Sequence, residues 1–141
     1  MVHALSEIRR VLVPDGILID LRPFSDEWRI EVFSARETRE TGHVTPLPVG
    51  VADDEAASRA MSDVETRGWF KREDDINFPI HYVWDTASEA EAWIDEEWEG
   101  NVALSEEARH ATRSVWALSD ADSQVRVKVK MLITRWKKST P

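Results

Sequence analysis

In Ala4-Leu-Ser-Glu-Ile-Arg-Arg-Val-Leu-Val-Pro-Asp-Gly-Ile-Leu-Ile-Asp-Leu-Arg-Pro-Phe24 an amphipathic helix meets an apolar strand across a tight turn, and the fold class turns on how these two elements are understood. Leu5, Ile8, Val11 and Leu12 recur at helical spacing, with Glu7, Arg9 and Arg10 on the other side, so one stripe faces a core. Pro14 ends the helix, since proline disfavours the α region in the residue before it, and Asp15-Gly16 supplies turn chemistry with a glycine able to take positive φ. Ile17-Leu-Ile-Asp-Leu21 is apolar on both faces, the pattern of a strand covered on both sides of a sheet. A buried helix segment gives the same run, but five residues between turn signals favour a strand.

Leu5-Ser-Glu-Ile-Arg-Arg-Val-Leu-Val-Pro-Asp-Gly16 resembles the "L-x-E-h-x-R-V-L-K-P-G-G" pattern that precedes the fifth strand of class I S-adenosylmethionine-dependent methyltransferases. The resemblance implies the C-terminal half of such an enzyme, in a truncated Rossmann-like sheet. It also implies that the last strand, residues 125–135, runs antiparallel beside residues 17–21. The family holds its cofactor on a Gly-x-Gly loop, where the backbone approaches the nucleoside closely. The five glycines here, at 16, 42, 50, 68 and 100, are at least eight residues apart, so no Gly-x-Gly exists. Val13-Pro-Asp-Gly16 also replaces Lys-Pro-Gly-Gly. No cofactor residue carries over. S-adenosylmethionine is expected only if a missing N-terminal half is supplied, and no cofactor is expected on this chain alone.

At 141 residues the chain fits a single domain over 1–141. No apolar run approaches the roughly 18 to 20 residues of a bilayer span, and no export-type segment opens the chain, so the expectation is a cytoplasmic protein without a membrane. Absence of cysteine excludes disulfides, thiolate metal sites and cysteine nucleophiles. The formal net charge of −9 is uneven: −2 over residues 1–50, −13 over 51–123 and +6 over 124–141. An acidic surface repels phosphates and argues against nucleic acid as a partner, with the basic C-terminal stretch read as a solvated strand face rather than a phosphate or acidic-partner site.

Beyond residue 24 the pattern is α+β. Trp28, Ile30 and Val32 alternate in a strand, with 35–41 as a polar hairpin partner ending before Gly42, and 42–51 as a connecting loop. Asp53-Asp-Glu55 opens a helix running to Arg67, with Ala57, Ala60, Met61 and Val64 inward and Gly68 as its stop. Ile76, Phe78, Ile80, Tyr82 and Trp84 share one strand face, and Pro79 places that strand at an edge or start. Thr86 with Glu89 forms a capping box for a helix bearing Ala90, Trp93, Ile94 and Trp98, closed by Gly100-Asn101. Ser105 caps a helix whose inner side is Ala108, Ala111, Thr112, Val115 and Trp116. Gln124 to Trp136 alternates throughout and is expected to be a central or near-central strand. The fold class is therefore α+β, with a mixed, mainly antiparallel sheet flanked by helices.

Catalytic signals are absent. His3, His43, His81 and His110 lack metal-ligand spacing, and neither H-E-x-x-H nor G-x-S-x-G occurs. Asp95-Glu-Glu97 with Glu99 reads as an exposed helix face rather than a cation site, and most of the seven tryptophans read as core packing rather than a stacking groove. If a substrate crevice exists, the resemblance puts Asp20, Arg22, Pro23 and Phe24 at its rim, beyond the strand's C-terminal end. Arg22 suits a bidentate anion contact or, more simply, a salt bridge. His81, Tyr82 and Trp84 complete the candidate rim, although adjacent His81 and Tyr82 point to opposite strand faces. Three functions follow: a methyltransferase-like half, inactive alone, that works with a separate cofactor-binding half; a non-catalytic homodimeric module covering the apolar edge of 17–21; and a small-molecule binder using the aromatic face of 76–84.

Overall fold

A computed structural model describes residues 2–24 and 26–140. Among these, helices α1 (Val2–Val11), α2 (Pro48–Thr66), α3 (Ala87–Glu97) and α4 (Glu106–Leu118) accompany strands β1 (Ile17–Pro23), β2 (Trp28–Phe33), β3 (Thr38–Pro46), β4 (Phe70–Trp84), β5 (Val102–Leu104) and β6 (Gln124–Lys138). The strands form one mainly antiparallel open sheet, so the fold is α+β as expected. β6 pairs with β1, β2 and β4, which makes it central, in keeping with its unbroken alternation. Residues 133–137 of β6 lie antiparallel to 17–21, from Ile17 opposite Lys137 to Leu21 opposite Ile133. The expected pairing of the last strand with 17–21 is thus present, at its C-terminal end.

The chain divides into two compact units, with α2, β4 and β6 each contributing residues to both. The first holds residues 1–24, 52–78 and 131–141. Its core joins Leu5 of α1, Ala60, Met61 and Val64 of α2, Phe70 and Trp136, with Ile8, Leu12, Leu18 and Trp69 packed against them. Cross-strand partners share a face, so Leu18 opposite Trp136 and Asp20 opposite Thr134 define the side that the helices cover. α2 ends where Gly68, at φ 68°, adopts the left-handed conformation that lets Trp69 N–H return to the Val64 carbonyl at 2.9 Å.

The second unit holds residues 25–51 and 79–130. β2 lies between β3 and residues 124–128 of β6, with Arg29 facing Lys128 and Val32 facing Val125. Ile30, Val32, Val125 and Val127 are buried, and α4 packs on β2, β3 and α3. Thr86 accepts from Glu89 N–H at 3.1 Å while Glu89 accepts from Thr86 N–H at 3.2 Å, completing the expected capping box. Ser105 caps α4 through Ala108 N–H at 3.1 Å.

Four expectations need correction. The turn after α1 places Asp15, not Gly16, at positive φ (60°). Gly16 is required instead because a β-carbon there would lie 2.8 Å from the Val13 carbonyl oxygen. β3 does not stop before Gly42 but continues to Pro46, because β5, which the sequence pattern did not reveal, pairs with Val44 to Pro46. α2 begins at Pro48, so Asp53-Asp-Glu55 lies beyond its first turn and does not sit on the positive end. Proline suits a first helical position because the N–H it lacks would have no helical partner there. Finally, β1 is covered on one side only: Ile17, Ile19 and Leu21 are exposed, at 36, 50 and 55 %.

Candidate functional site

Alternation along β1 turns Asp20 and Arg22 toward the helix-covered side and Ile17, Ile19 and Leu21 away from it. Arg22 donates to the Asp54 carbonyl of α2 at 3.2 Å and its Nε stands 3.4 Å from the Asp20 carboxylate. Both side chains are about one fifth exposed, and the buried Arg22 Nε lacks a well-aimed acceptor. The simpler of the two readings of Arg22, a local salt bridge, is the one the geometry displays. Phe24 follows β1 with 45 % of its surface exposed.

The other three rim candidates belong to the second unit. His81 is exposed on one face of β4, whereas Tyr82 and Trp84 turn to the opposite face. There Tyr82 meets Trp93 and Trp98 at centroid separations of 4.9 and 5.2 Å, Trp93 meets Trp98 at 4.8 Å, and Trp28 closes on Trp98 at 5.2 Å. Edge-to-face and tilted contacts of this kind satisfy the ring quadrupoles mutually. Five aromatic side chains pack on one another, so the structure brings Tyr82 and Trp84 together as part of a core-like cluster and leaves His81 on the far side.

Two ionic constellations were invisible in the sequence pattern. Glu31, 4 % exposed, receives Arg126 at 2.7 Å and Lys128 at 2.9 Å from β6. Burial pushes its carboxyl up, but the hydrogen bonds and charges of Lys128 and Arg126 outweigh this and hold it below the usual value. The second constellation joins α3 to α4: buried Glu91 binds both Arg109 and Arg113, and Asp95 accepts from both terminal guanidinium nitrogens of Arg109. The hydrogen bond from Arg109 to Asp95, aided by the charges of Asp95 and Glu91, outweighs desolvation and raises Arg109 above the usual basicity of an arginine. The only available signal was the strand position of Glu31 opposite Arg126, which requires knowing the register.

Among the described residues no three His, Asp or Glu side chains gather to hold a metal ion. Asp95, one of the acidic residues weighed as a cation ligand, is engaged by Arg109. A groove of about 350 Å³ in the second unit runs between Thr41, His43 and Thr45 of β3 and Glu107 and Ala111 of α4 with its cap Ser105. A cleft of about 420 Å³ in the first unit is lined by Ser6, Arg9 and Arg10 of α1 together with Lys138 and Ser139.

The remaining surface of note is the bare side of the first unit's sheet. Ile19, Ile76 and Ile133 form its apolar floor, rimmed by Asp74, Asp75 and Arg135 around a depression of about 200 Å³. Leu21 sits opposite Ile133, and Pro23 opposite Met131, on this same side. Among the described residues β1 pairs with β6 alone, leaving its other edge open. No helix among them is long and apolar enough to cross a membrane. Comparison with protein-family models, curated proteins and solved structures finds no match.

Proposed function

We propose that the chain is a methyltransferase-like half-domain that binds no S-adenosylmethionine on its own and acts as a non-catalytic module through the open side of β1. One observation carries this reading: among the described residues, β1 combines an unpaired edge with an uncovered apolar face at Ile17, Ile19 and Leu21. The resemblance at Leu5 to Gly16 assigns that edge and face to the strands and helices of a cofactor-binding half. An exposed apolar strand edge is a liability that proteins rarely leave uncovered. Its occupant is a second copy of the chain or a cofactor-binding half, and only the latter would create an enzyme.

The glycines support the same reading, since each is isolated and none lies in a Gly-x-Gly loop. A formal charge of −9 argues against nucleic-acid partners. A small-molecule role for the aromatic face of β4 has less support, because Tyr82 and Trp84 are engaged with Trp93 and Trp98. Calorimetric titration with S-adenosylmethionine and S-adenosylhomocysteine tests the proposal. No heat of binding is expected; one-to-one binding by the unaccompanied chain would overturn it.

A further inference from the structure

We infer that the open edge of β1 pairs antiparallel with β1 of a second copy, about a two-fold axis at Leu21. This rests on the reading of β1 as an edge that needs a partner, and it specifies which partner and in what register.

The hydrogen-bonding direction of β1 follows from one bond. Lys138 N–H donates to the Gly16 carbonyl at 2.8 Å, and Ile17 lies opposite Lys137. Antiparallel ladders alternate, so Gly16, Leu18, Asp20 and Arg22 direct their main-chain groups to β6. Ile17, Ile19 and Leu21 direct theirs outward. Pro23 falls in the outward set, where its missing N–H costs no bond to β6.

The sequence of this edge complements itself. Reading outward from Leu21, Asp20 faces Arg22 of the second copy, Ile19 faces Pro23, and Leu18 faces Phe24. Asp20 and Arg22, which pair within one chain at 3.4 Å, exchange partners across the axis, and apolar residues meet apolar ones. Centring on Asp20 would set two aspartates against each other, and centring on Ile19 would set Leu18 against Asp20. Only the Leu21 axis gives charge complementarity, with about four main-chain hydrogen bonds across it after the loss at Pro23. An isologous contact of this kind closes on itself and leads to a dimer rather than a fibre.

The absence of cysteine makes the test clean. Directly opposed residues at a hydrogen-bonded antiparallel site have α-carbons about 5.5 Å apart, within disulfide reach. Leu21→Cys, on the exposed side of β1, is therefore expected to form a covalent dimer under mild oxidation. Ile19→Cys is expected to stay monomeric by the same assay, because its symmetry mate is four residues away along the strand. Sedimentation of the wild-type chain at micromolar concentration should give twice the chain mass. Asp20→Arg should lower the association constant at least tenfold, and Asp20→Arg with Arg22→Asp should restore it, thermal unfolding showing that each variant is folded.

Cross-linking through Ile19→Cys but not Leu21→Cys would overturn the axis. A monomeric wild-type mass, with or without capture of a separate cofactor-binding half on β1, would overturn the dimer. These failures are distinct from one-to-one heat with S-adenosylmethionine, which would overturn the proposed function whatever the mass.

Discussion

Gly42 of β3 lies directly against Ala108 of α4: a β-carbon on Gly42 would approach the Ala108 Cβ to 2.8 Å, at a φ of +153°. This contact sets how closely α4 approaches the strand. Gly42→Ala is expected to destabilise the chain by about 1–3 kcal/mol, the usual cost of overpacking. Combining it with Ala108→Gly should cost less than the two single changes added together, because the second removes the clash that the first creates. Urea unfolding of the three variants measures this coupling; strict additivity would show that the contact is not close.

Glu31 should make stability depend on pH. Its folded-state carboxyl lies below its ordinary value of 4.5. Stabilisation is therefore fully present above the unfolded pKa and is lost as pH falls through the lower, folded one. Glu31→Gln is expected to lose about 1–3 kcal/mol at pH 7. That difference from wild type should shrink below about pH 4.5 and vanish once Glu31 is protonated in both states. Denaturation midpoints at pH 7 and pH 3 read out the convergence.

Glu91 and Arg113 should respond unequally although they are partners. Glu91 is 5 % exposed and serves two arginines, whereas the Arg113 side chain is 59 % exposed. Glu91→Ala is expected to cost about 1–3 kcal/mol by leaving Arg109 without one of its acceptors. Arg113→Ala should cost less, because the exposed guanidinium is solvated when unpaired and Glu91 keeps Arg109 as a partner. Equal losses in thermal unfolding would contradict this division.

Trp93 sits among Tyr82, Trp84 and Trp98, with centroid separations between 4.8 and 5.5 Å. Trp93→Ala is expected to destabilise by about 3 kcal/mol and to diminish the near-ultraviolet circular dichroism that asymmetric ring packing produces. An unchanged spectrum with retained stability would favour a loose groove over a packed cluster.

Some elements are legible from local chemistry. Thr86 with Glu89, and Ser105 before Glu106, announce α3 and α4, because a cap is satisfied by residues three positions away and needs no tertiary partner. The alternation of β6 likewise announces a central strand. β5 escapes notice because three residues carry too little period, and its identity depends on β3 lying beside it. The same pairing carries β3 past Gly42, where glycine reads locally as a stop. Of the rim candidates, Asp20 and Arg22 do meet, yet Tyr82 and Trp84 join an aromatic cluster that the alternation alone could not distinguish from an open ligand face.

The α+β class, the capped helices, the central last strand and the lack of a closely spaced glycine loop are all written in the order of the residues, since period, capping and composition act within a few positions. The exposure of Ile17, Ile19 and Leu21, the burial of Glu31 between Arg126 and Lys128, and the open edge of β1 emerge only once distant segments are brought together in space. An apolar residue records a preference for cover, but whether cover is provided depends on which elements the rest of the chain brings to that face.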